Sequence, residues 1–303
     1  MYRIISWHKW REIGILGLAL LLLTAAAGTA LGAVRRTTTA VAAASDGAIC
    51  VPVIMYHGVL EESSRQGQYI ISPSLLEGDL KAIRERGFTT VVMQDLIDYV
   101  DSGSPLPDKP IVLTFDDGYY NNYLYAFPLL KQYGMRAVLS PVAAWSEYYS
   151  LQDSDHAIYS HATWAELREM VESGVIEIQN HSYDMHYCTA GKRKGTLKRA
   201  GETIAQYQQA LREDLAMAQR LLTEEVGVTP TTFTYPYGAM CEEAKPVLAE
   251  LGFRATLSCE SRINRITRDP ACLTALGRYL RPAGSSSGAY FSRIDTELSK
   301  ACR

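Results

Sequence analysis

From Val51 onward, short apolar runs and helix-like stretches alternate about seven times, with no internal repeat. VPVIMY, FTTVVM, PIVLTF, MRAVLSPV, VIEIQ, TTFTYP and FRATLS read as strands, because continuous apolar or β-branched runs suit strands covered on both faces. Between them, SPSLLEGDLKAIRERG, QDLIDYVDSG, a tyrosine-rich stretch ending at Gly134, TWAELREMVESG, residues 197–226 and CEEAKPVLAELG read as helices. Thr163 facing Glu166 forms a capping box, and Gly174 supplies the stop. This alternation calls for an α/β fold with a mainly parallel sheet, open or closed into a barrel, and helices outside. Residues 51–303 are expected to form one such domain, since α/β barrels commonly fill about 250 residues.

The first 50 residues are of a different kind. Residues 1–12 carry Arg3, Lys9 and Arg11, and residues 13–34 then run apolar and uncharged. At about 1.5 Å per residue that run can cross a bilayer core of roughly 30 Å. Positive charge before it places residues 1–12 in the cytoplasm and everything after it outside. We therefore expect a transmembrane anchor over 13–34, a linker over 35–50 and an extracellular domain at the cell membrane. The small-residue cluster Ala42 to Ser45 offers the alternative of a cleaved signal and a secreted protein. A net charge of −3 gives no reason to expect a nucleic-acid partner. Six cysteines show no metal spacing; outside the cell some can pair, but the sequence does not say which.

In a barrel of this kind the chemistry sits at the carboxyl ends of the strands. Four strands end on chemically capable residues: His57; Asp116 and Asp117; His181 with His186 five residues on; and Tyr235, Pro236 and Tyr237. Adjacent carboxylates raise each other's pKa, so the pair is costly unless a cation or proton is shared. An aspartate before a helix also serves as an N-cap, and it is the histidines at the same end that point to a metal hydrolase. Two residues five apart diverge by about 140° on a helix, so His186 must return on a loop. Two histidines and one carboxylate suit zinc foremost, with cobalt, nickel or iron also fitting, and leave positions open for water and substrate. One aspartate would hold the metal while the other takes a proton from the attacking water, and Gly118 permits the turn that parts them. Asp184 is a further candidate, to hydrogen-bond a ligand histidine, and GKRKG from Gly191 to Gly195 reads as a solvated loop.

TFDDG, NHSYDMH and TYPYG, in that order, resemble the polysaccharide deacetylase (NodB-homology) family, carbohydrate esterase family four, over roughly residues 51–282. The resemblance implies a distorted (β/α) barrel that removes N- or O-acetyl groups from sugars such as N-acetylglucosamine, using a divalent metal. It makes Asp116 the general base, Asp117, His181 and His186 the metal ligands, and the backbone N–H of Tyr237 the oxyanion donor. Three departures refine it. The histidines stand five apart, as in the branch acting on poly-N-acetylglucosamine, where most chitin and peptidoglycan deacetylases have four. The usual C-terminal Leu-x-His is replaced by LGRYLRP, and IMYHG supplies His57 as the general acid from the first strand, as in that branch. Thr234 stands where an arginine commonly pairs with the base, leaving Arg281 and Arg262 as replacements between which the sequence does not choose. The expected function is deacetylation of an extracellular N-acetylglucosamine polymer or of peptidoglycan. The alternative is a non-catalytic cell-wall glycan-binding protein on the same fold.

Overall fold

In the computed structural model the described residues are 47–152, 155–189 and 191–303. The expected anchor at 13–34, residues 1–12 and most of the 35–50 linker lie outside them. Among the described residues, no helix is long and apolar enough to cross a membrane.

The strands in chain order are β1 (Ile49–Val51), β2 (Val53–Tyr56), β3 (Gly58–Val59), β4 (Ile70–Ile71), β5 (Thr89–Val91), β6 (Pro110–Asp117), β7 (Ala137–Pro141), β8 (Ile176–Ile178), β9 (Thr232–Thr234), β10 (Ala255–Leu257), β11 (Asn264–Ile266) and β12 (Tyr279–Leu280). β6 is buried along its whole length and lies between β2 and β7, both parallel to it, with β5 also pairing at its start. β8 joins β7, and β12 joins β2, again in parallel. Two single bridges close the circuit. Asn180, just past β8, pairs with Phe233 of β9, donating to Thr232 O at 3.2 Å and accepting from Thr234 N at 2.9 Å. β9 pairs with β10, and Leu257 bridges to Leu276, on the segment that runs into β12. A parallel barrel thus forms, distorted at the two places where a single bridge replaces a full ladder.

The pleat assigns the faces of β6. Ile111, Leu113 and Phe115 pack outward on Leu76, Leu80 and Ile83 of α1 (Pro73–Glu85), and Val112 packs with Val53, Val138 and Leu257 of the other strands. Two residues along the inward face bring Thr114, and two more bring Asp116.

The remaining helices are α2 (Met93–Ser102), α3 (Phe127–Tyr133), α4 (Ala143–Ser150), α5 (Trp164–Glu172), α6 (Ile204–Leu221), α7 (Lys245–Glu250) and α8 (Ser287–Ala301). The capping box at Thr163 is present, with Glu166 N at 3.3 Å from Thr163 Oγ1. The helix expected from residue 197 begins only at Ile204, behind a second box in which Gln206 N reaches Thr203 Oγ1 at 3.2 Å. Left-handed Gly195 and Gly201 keep the intervening chain out of the helix. Nor is GKRKG a wholly solvated loop: Arg193 is buried and pairs with Glu202 at 2.6 and 2.9 Å. A disulfide, Cys50–Cys302, ties β1 to the end of α8.

Candidate active site

β6 ends on the two aspartates, and the turn parts them as the sequence suggests. Asp117 adopts φ +71°, a conformation that costs a non-glycine residue energy unless its surroundings impose it. Its carbonyl accepts from His161 Nδ1 at 3.0 Å and from Val142 N at 3.3 Å, which holds it there. Gly118 follows at φ +75°, where a Cβ would stand 2.6 Å from Pro141 Cβ, so no larger residue fits. Asp116 consequently faces the barrel interior and Asp117 faces the histidine loop.

Inside the barrel, Asp116 meets Arg278 in a two-pronged pair, Nη1 to Oδ1 at 2.7 Å and Nη2 to Oδ2 at 2.9 Å. Arg278 is fully buried, and its Nε donates to Ser258 O at 2.8 Å. Burial pushes the Asp116 carboxyl up, but Arg278 foremost, then His181 and His57, pull it below its usual value. It is therefore ionised at neutral pH. This corrects the expectation of Arg281 or Arg262 as partner. Arg281 binds Asp79 of α1 at 2.8 and 3.0 Å, and Arg262 pairs with Glu260. On an extended strand, residues three apart face opposite sides, so Arg278 points inward and Arg281 outward.

We expect Arg278→Met to leave a buried carboxylate without its cation. Stability should fall by about 3–5 kcal/mol, read by chemical denaturation. Without the guanidinium, burial dominates and the Asp116 carboxyl rises. The acid limb of the rate should then move to higher pH; an unmoved limb would mean that Asp116 is not the base.

Asp117 Oδ1 lies 3.1 Å from His186 Nε2 and 3.5 Å from His181 Nε2, and the three ligand atoms stand within 4.8 Å of one another. Burial raises the Asp117 carboxyl, yet the two imidazoles outweigh it and hold it well below the carboxylate range. The protonation pattern tests whether a cation fits. His181 Nδ1 sits 2.7 Å from the Thr234 carbonyl, which can only accept, so this nitrogen carries the proton. Its Nε2 then points at Asp117 Oδ1, a buried oxygen with no hydrogen-bond partner among the described residues in the absence of a cation. Converging lone pairs in a dry place need a cation between them, and a carboxylate with two imidazoles suits a divalent metal.

His57 completes the cluster, its Nε2 3.9 Å from Asp116 Oδ2. Burial lowers its pKa, against the opposing pull of Asp116 and Asp117. Tyr237 sits at φ +59° and, with Gly238 at +62° and Ala239 N donating to Pro236 O at 3.0 Å, forms a tight turn. Its hydroxyl lies 3.1 Å from His186 Nδ1, a contact that the sequence does not reveal. All six residues expected at the site, His57, Asp116, Asp117, His181, His186 and Tyr237, are thus at one end of the barrel. Asp184 is not part of it: its carboxylate accepts from Tyr187 Oη at 2.8 Å instead of from a histidine.

Besides Arg278, two contributors escape sequence reading. Asp214, midway along α6, accepts from Tyr183 N at 2.9 Å and Asp184 N at 2.8 Å, clamping the loop between His181 and His186. Burial pushes its carboxyl up to about 6. His161 holds the Asp117 turn, and only its place beside the capping-box threonine hints at its position.

The chain matches the family model described as polysaccharide deacetylase over residues 103–256. A relative from Escherichia coli (strain K12), named poly-β-1,6-N-acetyl-D-glucosamine N-deacetylase, is 30% identical over 225 residues, covering 69% of this chain and 34% of the relative. One of the same name from Staphylococcus aureus (strain MRSA252) is 24% identical over 197 residues, covering 64% of this chain and 62% of the relative. The chain therefore spans about a third of the first relative's length and under two thirds of the second's. A solved de-N-acetylase from Aggregatibacter actinomycetemcomitans superposes with a TM-score of 0.69 at 27% identity, covering 82% of this chain and 99% of that one.

Proposed function

The chain belongs to the polysaccharide deacetylase family, and from that premise we propose that it is a metal-dependent hydrolase removing N-acetyl groups from an extracellular N-acetylglucosamine polymer. The observation that carries the reading is the meeting of the Asp117–His181–His186 triad with the Asp116–Arg278 pair and His57 in one barrel mouth. A glycan-binding protein has no need of a base, an acid and a metal triad together. The substrate we favour is β-1,6-linked, for which the named relatives and the five-residue histidine spacing both speak. Peptidoglycan is the competing polymer.

Asp117, His181 and His186 would hold the metal, for which zinc is our first choice. When bound, such an ion would supply Lewis-acid polarisation of the acetyl carbonyl and a lowered pKa for water. Asp116, kept ionised and aimed by Arg278, takes the proton of the attacking water. The backbone N–H of Tyr237, presented by its tight turn, stabilises the oxyanion. His57, in its protonated form, gives a proton to the departing amine and is reprotonated by the proton that Asp116 took, so that acetate and a free amino sugar leave. Residues 13–34 would hold this domain at the outer face of the membrane, or release it if cleaved.

His57→Ala should slow deacetylation by about 10²–10⁴-fold with metal content unchanged; an unaltered rate would remove His57 from the chemistry. The substrate reading is tested by initial rates of amine release on β-1,6-linked and β-1,4-linked N-acetylglucosamine oligomers of equal length. Faster release from the β-1,6 series is expected, and a clear preference for β-1,4 would overturn that assignment.

A further inference from the structure

An aromatic surface adjoins the site, and neither the metal triad nor the acid–base pair uses it. It stands on α4, the helix that leaves the carboxyl end of β7. Trp145 is 41% exposed and Tyr148 is 51% exposed, whereas the core of this domain buries its large apolar rings. Trp145 stacks on His161 with ring centres 5.5 Å apart and planes within 17°. Tyr149 stacks on the same imidazole at 5.7 Å and 20°, and Tyr119 tilts against it at 4.7 Å. Tyr148 meets both Trp145 and Tyr149 edge-on. His161 in turn donates to the carbonyl of Asp117. The surface is thus rigidly backed and begins one side chain away from a proposed metal ligand.

We propose that Trp145 and Tyr148 form a subsite that stacks on a neutral sugar ring of the same polymer, next to the ring being deacetylated. This rests on the deacetylase reading above. An aromatic face suits a pyranose because the sugar's axial C–H groups make an apolar face, while its hydroxyls stay in water beside the tyrosine hydroxyl. Trp145 and Tyr148 carry no charge, which matches a polymer that is uncharged before deacetylation. Neighbouring rings of one polymer are joined through a linkage, so a chain whose acetyl group lies at Asp117 must continue past the mouth. The surface that starts at His161 gives it a path.

The test uses the full chain in detergent, with wild type, Trp145→Ala and Trp145→Phe. The probes are a β-1,6-linked N-acetylglucosamine pentamer and p-nitrophenyl acetate, a minimal acetyl ester that offers no second ring. We expect Trp145→Ala to lower kcat/KM on the pentamer about tenfold, through KM, and to leave the ester rate within about twofold. Trp145→Phe should restore most of the loss. Equal losses on both probes would reduce Trp145 to a structural support, and an unchanged pentamer rate would remove the subsite. Calorimetric binding of the pentamer separates the two readings. Binding that depends on Trp145 without any turnover would sink the deacetylase and keep the subsite, whereas turnover with binding indifferent to Trp145 would do the reverse.

Discussion

Asp116→Asn should cut amine release by about 10²–10⁴-fold while the protein keeps its metal. The amide cannot accept the proton that the attacking water must lose, and Asp116 is not among the three groups whose ligand atoms converge. A stability cost should accompany the rate loss, because Arg278 is fully buried and keeps only half of its two-pronged acceptor. Metal content separates the two effects, since an unfolded chain would lose the ion as well. Full activity in this variant would show that the base lies elsewhere.

His181→Ala should have the opposite signature on metal, with both ion and turnover lost. His181 is buried, and its ring is oriented by the Thr234 carbonyl at 2.7 Å, so its removal takes away a fixed ligand. Removal leaves one carboxylate and one imidazole, too few to hold a divalent ion tightly. Metal analysis after gel filtration, run beside wild type and Asp116→Asn, reads the contrast directly. Retention of stoichiometric metal by His181→Ala would contradict the ligand set.

The parts of the site that the sequence disclosed are those carried by local order. A strand that stops on two aspartates and a glycine fixes its own turn, and a histidine pair following another strand shares its end of the barrel. The core strands were legible for the same reason, being continuous apolar runs. What stayed hidden depends on register between distant segments. Arg278 and Arg281 flank the two-residue strand β12 on either side, and only its pairing with β2 decides which enters the barrel. Thr234, in the place of the family's usual arginine, bonds Ser140 Oγ at 2.8 Å, while the guanidinium arrives from β12. Asp214 sits inside an ordinary amphipathic helix, where an aspartate gives no sign of capping a loop elsewhere. The Cys50–Cys302 bridge joins positions 252 apart in sequence. The helix at Ala143–Ser150 was missed because AAWSEYYS puts its aromatic residues outward, against the usual apolar periodicity.

The central claim is that the Asp117, His181 and His186 cluster binds a metal on which deacetylation depends. The most direct test follows amine release from a β-1,6-linked N-acetylglucosamine oligomer by untreated protein, by chelated protein freed of chelator, and after zinc, cobalt or nickel is returned. We predict loss on chelation and recovery with at least one ion, with no recovery in His181→Ala. Undiminished release by protein shown to be metal-free would contradict the account.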